Sequence, residues 1–175
     1  MKSVSEQEWK KKAEGLAEWR KNRTSPPNLD LYKRIVSMVY VGESCLDVGA
    51  GQCHLKKCLS YKTTYSAIDP YPLSEYVQEC TAENLFNGFM LYGKMGVDTV
   101  FMLAALDNVI DLKQSLLGLK TVAKENIVIL TSIGVPPDKN HTVQVDREDL
   151  VSVLGEPFQE VEMLPKVWLY EWRVK

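Results

Sequence analysis

An α/β fold, with helices covering both faces of a mostly parallel sheet, is what this chain predicts, and three observations carry the prediction. Stretches rich in β-formers alternate with stretches of helical spacing along nearly the whole length. Residues 44–59 pass from an apolar strand through Gly49-Ala50-Gly51 into the helically spaced Leu55, Cys58 and Leu59. Asn126–Thr131 carries an uninterrupted apolar run, as a central parallel strand covered on both faces requires. The bulk numbers agree with a single domain: 175 residues, 45% hydrophobic and 25% charged, enough to bury a proper core.

Composition also excludes several classes. A net charge of −2 provides no overall basic field to recruit nucleic acid. No signal sequence or apolar run of membrane-spanning length is seen, so an intracellular, cytoplasmic protein without membrane contact is expected. The four cysteines, at 45, 53, 58 and 80, form no C-x-x-C pair and read as thiols of a reducing compartment. A zinc site from Cys53, His54 and Cys58 lacks the usual ligand spacing, so no metal is expected.

Taken in order, residues 5 to about 22 have helical periodicity. Trp9, Ala13, Leu16, Ala17 and Trp19 lie mostly on one face, and Ser5 with Glu8 offers a capping box. Thr24-Ser25-Pro26-Pro27-Asn28 ends this helix, because two successive prolines cannot continue it. A second helix, about 29–40, buries Leu31, Ile35, Met38 and Val39. Residues 1–28 are therefore a helical cover or arm, and 29–175 one domain. Between residues 10 and 34 the chain is notably basic, with Lys10, Lys11, Lys12, Arg20, Lys21, Arg23, Lys33 and Arg34 against three acids. That face is either simply solvated, or covers a substrate cleft, or meets an anionic acceptor or nucleic-acid backbone.

The glycine turn is the centre of the reading. Gly49 and Gly51 permit φ > 0 and close approach of a ligand to the backbone, and free N–H groups at a helix start would face the same ligand. Thr64–Asp69 is a second strand, ending in a carboxylate 22 residues beyond Asp47. An acid at that distance from a glycine loop can accept hydrogen bonds from both ribose hydroxyls, and Pro70-Tyr71 supplies a rigid turn and an aromatic face for an adenine. Tyr76–Cys80 and Asp98–Leu103 are the third and fourth strands. A helix follows over 111–124, then the apolar fifth strand, then a short helix at 146–154 with Asp146 as N-cap and Gly155 as stop. Phe158–Leu164 and Val167–Val174, joined by Pro165-Lys166, form a terminal hairpin.

Dinucleotide folds show G-x-G-x-x-G; His54 occupies the third glycine position here, and that pattern fails. Asp47-Val48-Gly49-Ala50-Gly51-Gln52-Cys53 instead resembles motif I (D/E-x-G-x-G-x-G) of class I S-adenosylmethionine-dependent methyltransferases, with Cys53 in place of the last glycine. Thr81-Ala82-Glu83-Asn84-Leu85 is similar to that family's G-D-A-E-x-L segment, with Thr81 standing where Asp is frequent. Asp98 through Asp111 is similar to its D-x-V-x…L-E/D-H-V-x-D, with Asn108 for His. The resemblance spans about 30–175. It implies a three-layer sandwich with a seven-stranded sheet whose last strand inserts antiparallel, preceded by a helical extension. Asp69-Pro70-Tyr71-Pro72 looks like the D-P-P-Y of amino-group DNA methyltransferases, but it follows the second strand rather than the fourth.

By the same resemblance the cofactor is S-adenosylmethionine, with S-adenosylhomocysteine as product. The backbone of Gly49, Ala50 and Gly51 would cradle the methionyl portion, with Asp47 orienting the turn or reaching the amino group through water. Asp69 would take the ribose; Pro70, Tyr71, Thr81 and Ala82 would frame the adenine; Met102 and Leu103 would line the floor below the sulfonium. For a general base, His141 in the loop after the fifth strand is preferred over His54, Asp107, Asn108 and Tyr40. The acceptor, small or macromolecular, is not legible. A cofactor-binding but catalytically silent subunit, and a nicotinamide enzyme, stand as alternative functions.

Overall fold

The computed structural model describes residues 2–22, 29–85, 96–139 and 141–174. Two helices lead, α1 (Glu6–Asn22) and α2 (Leu29–Met38), followed by β1 (Ser44–Val48), β2 (Thr64–Asp69) and β3 (Gln78–Glu79). Then come β4 (Val97–Leu103), α3 (Leu112–Val122), β5 (Ala123–Ser132), α4 (Arg147–Leu154), β6 (Gln159–Leu164) and β7 (Val167–Arg173). The Thr24–Asn28 break and the proposed boundary at 28 lie outside the described residues. No described helix is long and apolar enough to cross a membrane.

The seven strands lie in the order β3-β2-β1-β4-β5-β7-β6. Pairings are parallel from β3 through β5, and β7 inserts antiparallel between β5 and β6. Strand alternation divides the core. Leu46, Val48, Val100, Met102, Ile127, Ile129, Tyr170 and Trp172 face one side, where Leu112, Leu116 and Leu119 of α3 and Leu150 of α4 cover them. Cys45, Phe101, Leu103, Val128, Leu130 and Leu169 face the other, beneath Ile35 of α2 and Leu55. Side chains two apart share a face of the pleat, so apolar residues at successive positions demand a cover on each side. All four cysteines are free, and burial pushes the Cys45 thiol up to about 12, which keeps it unreactive.

Helix signals hold at the ends. Asp111 accepts from the Gln114 N–H at the start of α3. Asp146 and Asp149 form a capping box on α4, and Gly155 ends it at φ 85°. At α1 the Glu8 N–H donates to the Ser5 hydroxyl at 3.2 Å, which is half of the expected box. The third strand, expected over Tyr76–Cys80, is only Gln78–Glu79, and one element differs in type. The segment after the glycine turn is a single 3₁₀ turn, Leu55–Cys58, closed by an i→i−3 bond from the Lys57 N–H to the His54 carbonyl. Only Leu55 of it is buried, so there is no apolar stripe to hold further turns. An α-helix N-terminus aimed at a ligand is thus absent at this turn, and the backbone of the turn itself must do the binding.

Candidate functional site

The carboxyl ends of β1, β2 and β4 meet at the glycine turn. Gly49, Gly51 and Cys53 all have positive φ (74°, 52° and 56°). A Cβ at Gly49 would stand 2.5 Å from that of Ala105, so glycine there answers both a conformational and a steric demand. The turn is pinned to β2 by the Gly49 and Ala50 N–H groups, which donate to the Ile68 carbonyl at 2.9 and 3.1 Å.

Asp69 is the node of the site. Its Oδ2 accepts from the Gly51 N–H at 2.9 Å and its Oδ1 from the Tyr71 N–H at 2.9 Å. Arg20 of α1 reaches Oδ2 at 3.6 Å. Although only 2% exposed, Asp69 therefore ties three segments together while each oxygen retains lone-pair capacity. Asp47 lies beneath the turn and accepts from the Tyr65 hydroxyl at 2.8 Å. Burial pushes its carboxyl up to about 7; the Tyr65 bond lowers it and neighbouring Asp69 raises it further. Burial and Asp47 together push the Tyr65 phenol upward, so it remains a donor.

A cleft opens beside this node. Val48, Met102, Ala105 and Val109 contribute apolar walls, while Pro70, Tyr71, Cys80, Thr81 and Ala82 line another side. The roof is α1, through Trp9, Ala13, Leu16, Ala17 and Arg20. The Trp9 indole N–H donates to the Asn108 carbonyl at 2.7 Å, and its ring lies 6.2 Å from that of Tyr71. Gln52 Nε2 donates to the Arg20 carbonyl at 3.2 Å, which clips the end of α1 over the glycine turn.

Gly49, Asp69, Pro70, Tyr71, Thr81, Ala82 and Met102 are thus brought to one cleft. Asp47, Ala50, Gly51 and Leu103 are not among its walls. Asp47 supports the turn from below, and the Gly51 N–H is engaged by Asp69. Leu103 corrects the expectation of a two-residue floor: it is one position from Met102 and so faces the opposite layer, with Ile35 and Leu55. Tyr40 is likewise removed from the site, its backbone and ring meeting Glu171 and Arg173.

A second, more open pocket adjoins the first; Leu16, Arg20 and Asn108 belong to the walls of both. Asp107, Thr131, Ser132 and His141 line it. His141 Nδ1 is 2.8 Å from Asp138 Oδ1 and its Nε2 is 3.6 Å from Asp107 Oδ2. Burial raises the Asp107 carboxyl above its ordinary range, with His141 acting in the opposite sense. Asn108 Nδ2 donates to Asp107 Oδ1 at 3.0 Å. With Nδ1–H bonded to Asp138, the Nε2 atom is the one left to accept a proton.

Trp9, Arg20 and Glu83 escaped the sequence reading as individual site residues. Glu83 Oε1 accepts from the Ile110 and Asp111 N–H groups at 2.6 and 3.1 Å, fixing the loop after β3 against the loop after β4. The signal for α1 was present: Trp9, Ala13, Leu16, Ala17 and Arg20 repeat at helical spacing along one stripe, and its polar last member lies on the apolar face. Trp19, expected on that stripe, is 55% exposed and lines the second pocket.

No family model matches the sequence, and no curated protein matches it. Solved structures do match in fold. A methyltransferase from Burkholderia thailandensis acting on 1,6-didemethyltoxoflavin, with that compound and S-adenosylhomocysteine bound, gives a TM-score of 0.72 at 12% identity, over 100% of this chain and 92% of that one. Magnesium protoporphyrin IX methyltransferase from Synechocystis, with S-adenosylmethionine bound, gives 0.62 at 14% identity, over 92% and 91%. A methyltransferase dependent on S-adenosylmethionine from Aquifex aeolicus gives 0.60 at 18% identity, over 91% and 98%. With its strand order, its antiparallel seventh strand and these likenesses, the chain has the class I, Rossmann-like methyltransferase fold.

Proposed function

We propose that this chain is a methyltransferase that holds S-adenosylmethionine in the cleft under α1 and passes its methyl group to an acceptor in the adjoining pocket. The observation that carries the proposal is the convergence of Gly49, Asp69, Tyr71, Thr81 and Met102 on one cleft that shares Leu16, Arg20 and Asn108 with a second. When bound, S-adenosylmethionine supplies a methyl group already activated on a sulfonium, so the protein's task is orientation and exclusion of water.

Each residue has a role in that task. Gly49 leaves the turn open to the methionyl end. Asp69 accepts from the ribose hydroxyls with the capacity left after its backbone bonds. Tyr71, Thr81 and Ala82 would frame the base, and Met102 would line the cleft wall beside the sulfonium. Trp9 and Arg20 shut the cleft from above, with α1 acting as the cover. His141, oriented by Asp138 and close to Asp107, takes the acceptor's proton through Nε2 where the acceptor has one to lose.

Thermal melting in the presence of S-adenosylhomocysteine, S-adenosylmethionine and NAD tests the proposal, because a ligand that binds only the native state raises the midpoint. The first two are expected to raise it and NAD to leave it unmoved. A rise with NAD alone would replace this reading with a nicotinamide enzyme. Donor binding without turnover on any acceptor pool would favour a silent subunit.

A further inference from the structure

The second pocket has a chemical character that the methyl-donor reading does not use. Its floor is apolar: Leu130, Val167 and Leu164 lie there with Trp19 at the edge, and both Leu164 (51%) and Trp19 (55%) are unusually exposed for their size. Cations stand on its rim from two separate elements, Lys11 and Lys12 on α1 and Lys139 on the loop after β5. The acids of the pocket are Glu8 and Asp107. Glu8 is 3.4 Å from Lys12, and Asp107 has His141 and Asn108. Arg20 is turned to Asp69. Lys11 and Lys139 are in no ion pair among the described residues. The Thr131 hydroxyl on the same wall has no hydrogen-bond partner among the described residues.

Resting on the methyltransferase reading, we infer that the acceptor is a small organic anion: an apolar, ring-sized body bearing a carboxylate or phosphate group. The body lies on Leu130, Leu164 and Val167, and the anionic group is held between Lys11 and Lys139. Thr131 offers it a hydrogen bond. The two lysines line one pocket from separate elements, α1 and the loop after β5, an arrangement suited to holding one anionic group between them rather than tracking an extended backbone. Complementary charge at such a rim sets both capture rate and selectivity.

Four naphthalene probes test this on the full chain saturated with S-adenosylhomocysteine: 2-naphthoate, 2-naphthyl phosphate, neutral 2-naphthylmethanol and cationic 2-naphthylmethylamine. Either anion is expected to raise the melting midpoint, and comparison of the two tells carboxylate from phosphate recognition. The neutral and cationic probes are expected to have no effect. Lys11 and Lys139 are exposed, so Lys11→Glu combined with Lys139→Glu should fold normally. That variant should keep the shift caused by S-adenosylhomocysteine and lose about tenfold or more in affinity for the anion. Equal binding of the neutral or cationic probe, or undiminished anion binding in the variant, would overturn the inference. So would salt-sensitive binding of a single-stranded RNA oligonucleotide with no response to either naphthyl anion. The same four probes are measured without S-adenosylhomocysteine, so that failure of the donor to bind counts against the methyltransferase reading alone.

Discussion

Two buried carboxylates sit at opposite ends of the same sheet, and their surroundings differ in an instructive way. At the amino-terminal end of the parallel strands, Glu171 of β7 is 1% exposed. It accepts from Asn126 Nδ2 at 2.7 Å and the Tyr40 N–H at 3.3 Å, and pairs with Arg173 at 3.1 Å. The Arg173 guanidinium in turn packs over the rings of Tyr40 and Phe158, at 5.5 and 4.7 Å. That cluster is closed on itself. At the carboxyl-terminal end, Asp69 is equally buried but leans on backbone N–H groups of two turns, with one cation borrowed from α1, and it borders an open cleft. A buried charge sealed by side chains holds the fold together; one held by turns beside a cavity is ready for a ligand.

Substitutions can break this comparison, and the largest effect is expected at the closed end. Glu171→Ala removes one of the two acceptors of the Asn126 amide, the acceptor of the Tyr40 N–H and the counter-charge of Arg173, and should cost about 3 kcal/mol, or roughly 10 °C in Tm. The midpoint rise given by S-adenosylhomocysteine should survive. Asp69→Ala should show the reverse, with donor affinity falling about 100-fold, or about 2.7 kcal/mol. An unchanged donor-induced rise in that variant would defeat the ribose assignment.

A third test uses pH. Because burial lifts the Asp47 carboxyl from 3.8 to about 7, the folded chain holds that proton more tightly than the unfolded chain. Its contribution is fully present below the unfolded value and is lost as pH rises toward 7. Wild type should therefore lose stability between those values by roughly 3 to 4 kcal/mol relative to Asp47→Asn. Parallel denaturation curves for the two proteins across that range would contradict the assignment. The smallest effect is expected for Arg20→Ala. Its partly exposed ion pair is worth under about 1 kcal/mol of stability, and the donor-induced rise should remain. If Arg20→Ala instead reproduced the loss seen with Asp69→Ala, the carboxylate would be acting through the ion pair and not through the ribose.

Much of this was legible in the chain. Consecutive apolar side chains in 100–103 and 127–130 dictate a sheet covered on both faces, and the spacing from Asp47 to Asp69 brings the two acids to neighbouring strand ends. What could not be read has a physical reason in each case. Which of Met102 and Leu103 faces the cleft is decided by how the sheet is covered, which a run of consecutive apolar residues does not reveal; that both cannot do so follows from their adjacency in one strand. Whether the segment after Gly51 forms an α-helix depended on tertiary burial, and only Leu55 supplies it. Arg20 reaches Asp69 from 49 positions away, a contact made by the docking of α1 and by no local pattern. The pairing of His141 with Asp107 and Asp138 likewise required the loops after β4 and β5 to meet.

Calorimetric titration of the folded protein with S-adenosylhomocysteine tests the central claim most directly. Saturable heat at one molecule per chain is expected, lost in Asp69→Ala and retained in Glu171→Ala. Absence of heat with both S-adenosylhomocysteine and S-adenosylmethionine would contradict it and leave the cleft under α1 to some other ligand.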